Sequence, residues 1–172
     1  MKVSTKSKNA VAIVSYLACF KENTLVSMTQ IQNDLNISKM YMAQIMLLLQ
    51  KSGIISSKKG SGGGYFISDS ADIVSLTVGD ICRSVEKDMY ITECVFDPQN
   101  CFLKKDALSC PARNIMCDIS DAVFDVLDSY YITDIADLLK SNNIVKTSDS
   151  SKKEEHENET VGKKQVWNSW LD

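Results

Sequence analysis

The chain has 172 residues, 44% of them hydrophobic, and a net charge of −3, enough for one good core plus a tail. No apolar run reaches the roughly 18 residues that span a bilayer, and MKVSTKSKNAV at the start has no long apolar stretch to serve as a signal peptide. The sequence therefore predicts a cytoplasmic protein with no membrane partner, and its charge is uneven. Residues 1–68 hold eight lysines against Glu22 and Asp34, so the rest of the chain is strongly acidic. A basic first part in an acidic chain suits a polyanionic partner, although an ordinary lysine-rich surface has the same composition.

Residues 5–20 carry apolar side chains at positions 10, 11, 13, 14, 17 and 18, the spacing of a helix. Lys21, Glu22 and Asn23 break it. Residues 27–35 predict a short helix with Ser27 as N-cap and Met28, Ile31 and Leu35 facing inward. Asn36 and Ile37 make a turn, Ser38 caps a second helix running through Lys51, and Gly53 ends it where a left-handed residue costs least. Two short helices joined by a tight turn are the skeleton of a helix-turn-helix. Ile54 to Lys59 is β-prone, residues 60–64 form a glycine-rich turn, and Tyr65-Phe66-Ile67 returns as a second strand. A hairpin straight after the second helix builds a wing.

Further on, residues 77–87 predict an amphipathic helix capped by Thr77. Residues 88–109 show little periodicity. A long amphipathic helix follows from Ala112 to about Leu127, and Thr133 caps a short last one. The segment SSKKEEHENETVGKK is polar and buries nothing; it predicts disorder over 143–163, with Trp167 and Trp170 beyond it. The expected fold is mainly α: a winged helix-turn-helix with a β-hairpin wing over 1–68, cysteine loop and dimerisation helices over 69–140, and an acidic tail over 141–172.

In a helix-turn-helix the first residues of the second helix approach base edges in the major groove. Here these are Ser38, Lys39, Met40 and Tyr41, with Gln44 one turn on. Glutamine pairs bidentately with adenine. Lys58 and Lys59 on the wing are placed for the flanking backbone, and glycines such as Gly62 let the wing approach closely. The loop GSGGGY lacks the Lys-Ser/Thr ending of a phosphate loop. No carboxylate pair, Cys-His couple in an ordered segment or cofactor loop points to an enzyme.

Six cysteines in a reducing compartment are poor candidates for structural disulfides. Cys19 and Cys82 sit in apolar helical runs and read as core. Cys94, Cys101, Cys110 and Cys117 crowd into 24 residues, and grouped thiolates suit iron, iron–sulfur clusters or zinc. Pro111 opens the long helix with Cys110 at its N-cap, and Cys117 then lies two turns on, about 10 Å along the same face.

The segments MKVSTKSKNAV, NISKMYMAQIMLLLQKSGII, SSKKGSGGGYFIS and CPARNIMCDISDAVFDVLDSYYITDIADLL together resemble the winged-helix regulator family typified by the iron–sulfur cluster regulator IscR and the nitric-oxide sensor NsrR. The resemblance spans residues 1 to about 140. It implies a homodimeric transcription regulator, a repressor, on a double-stranded palindromic DNA operator. It also implies an iron–sulfur cluster (2Fe-2S or 4Fe-4S) on Cys94, Cys101 and Cys110 that senses iron–sulfur, redox or nitrosative state. This chain departs from the pattern at the fourth ligand. Arg113 stands where one branch has histidine, and Lys6-Ser7-Lys8-Asn9 offers no carboxylate where another has an acid; Cys117 is the remaining candidate, and His156 falls in the tail. A metal-free thiol switch, structural zinc and a protein-interaction module stay open as alternatives.

Overall fold

A computed structural model of the chain describes residues 4–87, 89–100, 109–142 and 144–145. Cys101, His156, Trp167, Trp170 and nearly all of the predicted acidic tail lie outside these described residues.

Helix α1 (Thr5–Ala18) is the central element. Its face of Ala10, Ile13, Val14 and Leu17 is buried, as is Tyr16. Helices α2 (Met28–Leu35) and α3 (Lys39–Lys51) pack against it. The Ser27 hydroxyl caps α2 by accepting from the Gln30 backbone N–H at 3.2 Å, as its position predicts. Asn36 makes the turn between the two helices with a left-handed backbone, φ 50°. Ile31 is fully buried, with Met28 and Leu35 partly so. On α3 the inward residues are Met42, Ile45, Met46 and Leu49. Gly53 then takes φ 76° and releases the chain into the wing.

Strands β1 (Ile55–Lys58) and β2 (Gly64–Ile67) pair antiparallel, with Ile55 opposite Ile67 and Lys58 opposite Gly64. Val26 bridges to Tyr65 through two backbone hydrogen bonds of 2.9 and 2.8 Å, which pins the wing to the start of α2.

Helix α4 (Val78–Val85) starts at a capping box in which Thr77 and Asp80 each bond the other's backbone N–H. Among the described residues of the stretch without periodicity are a short helix α5 (Glu93–Phe96) and a 3-10 turn over Pro98–Asn100. The long helix α6 (Pro111–Asp128) follows, with Pro111 in its first turn, and then α7 (Ile132–Ser141).

The start of α7 corrects the expected Thr133 cap. Tyr131 is the N-cap residue, and no side chain caps the helix. Backbone pairing decides the boundary: Thr77 bridges Tyr131, and the Ile132 N–H donates to the Leu76 carbonyl at 2.9 Å. Ile132 is thereby carried into the core, fully buried. One core joins α1–α3 to Ile81 and Val85 of α4 and to Ile132 and Ala136 of α7.

Helix α6 stands apart from that core. Ser120 is its only fully buried residue, while Ile115, Ile119 and Val126 are exposed. These three, with Ala122, Val123 and Leu127, line an open apolar groove.

Candidate nucleic-acid interface and cysteine segment

The outer face of α3 is set by helical period. Since 42, 45, 46 and 49 face the core, residues 40, 43, 44 and 47 must face out. Ser38, Lys39, Met40 and Gln44 are exposed and Tyr41 is half-buried against the core. Ser38 occupies the N-cap position, and its carbonyl accepts from the Met42 N–H at 2.9 Å, but its side chain makes no capping bond. The expected cap is therefore backbone only, and the hydroxyl remains at the surface at the open end of the helix.

The wing sits beside this face and is tied to it. The Gln50 side-chain amide near the end of α3 donates to the Ser57 hydroxyl of β1 at 2.8 Å. Lys58 lies 5.6 Å over the Phe66 ring, a cation–π contact that holds its ammonium above the hairpin. Lys59 and Gly62 are exposed in the turn, and Gly62 has φ 80°, a backbone that other residues reach only with strain. From residue 35 to residue 68 the chain carries Lys39, Lys51, Lys58 and Lys59 and no carboxylate, so this segment is net positive.

The opposite end of α1 is held by Glu86, just past α4. Its carboxylate accepts from the Ser4 hydroxyl, from the Ser7 hydroxyl at 2.7 Å and from Lys6 Nζ at 2.9 Å. Ser4 in turn caps α1 by accepting from the Lys6 and Ser7 N–H groups. Burial alone would raise the Glu86 carboxyl, but these three donors together hold it below the usual glutamate range. Sequence reasoning missed this cluster, because the partners are about 80 positions apart.

The cysteines divide by environment. Cys19 and Cys82 are buried, as their apolar runs predict. Burial pushes the Cys19 thiol up to about 11 and raises that of Cys82, so neither supplies a ready thiolate. Cys94, Cys110 and Cys117 are half-exposed free thiols. Cys94 lies in α5, its sulfur 3.3 Å from the Thr92 hydroxyl, and Cys110 is the N-cap residue of α6. Arg113, one turn into α6, donates through Nε to the Cys94 carbonyl at 2.8 Å. That bond brings the Cys94 backbone to the first turn of the helix that Cys110 opens. Stacking of Tyr90 on Phe96, centroids 4.8 Å apart, steadies the same segment.

Half-exposed thiols on two segments joined in this way are soft donors of the type iron–sulfur clusters use. Cys101 lies outside the described residues, and among the described residues no group of three or more His, Cys, Asp or Glu is gathered for a metal. Arg113, which the sequence excludes as a ligand, serves as the tie between the two cysteine segments.

The far end of α6 is anchored on α4. Arg83 reaches both Asp128 oxygens, at 2.7 and 3.1 Å, as well as Asp80 at 2.7 Å, and its guanidinium lies 6.0 Å from the Phe124 ring centroid. Asp128 comes so close to Gly79 that a β-carbon there would collide with its carboxylate. These contacts fix the long helix at one end, and the Arg113–Cys94 bond fixes it at the other.

Comparison with known proteins agrees with this architecture. The chain is 31% identical over 137 residues to the HTH-type transcriptional regulator CymR of Bacillus subtilis, covering 79% of this chain and 90% of that protein. It is 28% identical over 149 residues to the HTH-type transcriptional regulator IscR of Vibrio campbellii, covering 87% and 83%. The solved structure of CymR (YrzC), the global cysteine regulator of B. subtilis, superposes with a TM-score of 0.63 at 28% identity, covering 80% of this chain and 98% of that one. No described helix is long and apolar enough to cross a membrane. Over residues 3–138 the chain matches the Rrf2 family, Iron-dependent Transcriptional regulator, and it belongs to that family.

Proposed function

We propose that this chain is a sequence-specific DNA-binding regulator, acting as a homodimer on a palindromic double-stranded operator and repressing from it. Ser38, Lys39, Met40, Tyr41, Gln44, Lys58, Lys59 and Gly62 form the reading surface. Phosphate contacts from the lysines supply affinity, and α3 supplies selectivity. The single observation that carries this reading is the carboxylate-free α3–wing surface over residues 35–68. Dimer formation is supported by the open apolar groove on α6, a contiguous patch of the type that marks an interaction site. Such a dimer would act in the cytoplasm.

In this reading Cys94, Cys101 and Cys110 hold an iron–sulfur cluster, with Cys117 the candidate for a fourth position. When bound, the cluster supplies a centre whose gain or loss registers iron–sulfur, redox or nitrosative state. The chain's own part is mechanical. Cys94 and Cys110 sit on the two segments joined by Arg113, so any change in thiol ligation pulls on the first turn of α6. The anchor of Arg83 on Asp128 carries that pull to α4, which packs on α1 and α3.

A second reading, a metal-free thiol switch, is favoured by Arg113 at the fourth-ligand position, where it offers a metal no donor. Purification without oxygen, followed by the visible spectrum and assays of iron and acid-labile sulfide, separates the two. The cluster reading predicts visible absorption and both elements. A colourless, iron-free protein that still binds its operator rules the cluster out, and if that protein's operator affinity also changes on thiol oxidation, the switch reading takes its place.

A further inference from the structure

The exposed stripe of α3 is unusually apolar for a surface that faces a polyanion. Met40 is 78% exposed and Leu47 53% exposed, and Ala43 and Gln44 lie between them on the same face. Positions 40, 43, 44 and 47 are one, three and four residues apart, so their side chains form one continuous line along the helix. None of the four belongs to the core, which takes 42, 45, 46 and 49 from the other side.

The chemistry of this line selects among base pairs. In the major groove guanine is read most often by arginine or lysine, and cytosine N4 donates to carboxylates. The line has neither: residues 35–68 contain no Asp, Glu or Arg, and Lys39 stands to one side in the first turn. What it offers is one amide, Gln44, and three apolar groups. An amide pairs with adenine, and apolar side chains pack on the C5-methyl of thymine, the one apolar group exposed on the major-groove edge. Flanking lysines at 39, 51, 58 and 59 match the phosphates on either side.

Resting on the DNA-binding reading above, we infer that the half-site under α3 is a run of A·T pairs, with Met40, Ala43 and Leu47 reading thymine methyl groups and Gln44 reading adenine. Selectivity then comes largely from methyl burial. Each methyl removed from water by such a contact is worth about a 4-fold change in affinity.

The test uses the full chain, prepared without oxygen, to select from a pool of randomised duplexes. The preferred half-site is then resynthesised with deoxyuridine in place of each thymine, which deletes the methyl and leaves every base-pairing group intact. A·T runs at the half-site core are expected, with about a 4-fold loss at each of the thymines under Met40 and Leu47. Met40→Ala and Leu47→Ala, both at exposed positions, are expected to weaken binding to the thymine duplex and to abolish the deoxyuridine penalty at one position each. Selection of a G·C core, or equal binding of thymine and deoxyuridine duplexes, overturns this inference and leaves the DNA-binding reading standing. Failure to enrich any sequence overturns both.

Discussion

Single residues in this chain hold distant segments together, and Glu86 does so most directly. It closes the N-terminal end of α1 by accepting from Ser4, Lys6 and Ser7, and it stands at the point where the chain leaves α4 for the cysteine segment. Because its carboxyl lies below the ordinary value of 4.5 in the folded protein, its stabilising effect is complete above that value. It is lost as pH falls through the depressed folded value. Glu86→Gln is therefore expected to be less stable at neutral pH by about 1 kcal/mol and to show a shallower loss of stability on acidification, read by urea unfolding at a series of pH values. Asp80, where bonds from Arg83 and Thr77 outweigh burial, also titrates low and leaves a residual slope. An unchanged acid limb in the Gln variant would show that the cluster contributes nothing.

At the scale of elements, what periodicity and capping can express was legible in the sequence. Ser27, Asn36, Gly53 and Thr77 marked boundaries that the structure keeps, and the inward residues Met28, Ile31 and Leu35 of α2 followed from spacing alone. The short α5 was not legible, since four residues are fewer than two helical turns and leave no period to detect. The start of α7 was displaced because backbone pairing with Thr77 and Leu76, remote in sequence, overrode the local cap signal at Thr133. The anchor of α6 was equally hidden, for Arg83 and Asp128 are 45 positions apart. This anchor has a measurable consequence. Arg83→Ala is expected to cost only about 1 kcal/mol of stability, as is usual for a partly exposed ion pair. Its larger effect should be on coupling: the operator affinities of the protein in its two cysteine states should converge, as measured by fluorescence anisotropy. A difference as large as in the unaltered protein would mean that α6 does not act through this contact.

For the molecule as a whole, the candidate reading surface and the cysteine segment lie on different parts of one connected frame. The α3–wing surface belongs to the core built around α1; the cysteines sit where α5 meets the first turn of α6. Between them run α6, its anchor on α4, and the packing of α4 against α1 and α3. The candidate reading residues were visible in the sequence because a helix-turn-helix is a local motif. The ties between cysteines and core were not, because each is a single long-range hydrogen bond or ion pair that composition and spacing do not encode. In the proposed mechanism the state of the cysteines sets the affinity for DNA through these ties. This dependence is tested most directly by the operator dissociation constant of the oxygen-free protein beside that of the Cys94→Ser, Cys110→Ser double variant, at one fixed salt concentration. The two constants are expected to differ by about tenfold or more, equivalent to roughly 1.4 kcal/mol of coupling. Equal constants, with both proteins folded and bound to the same operator, would contradict it.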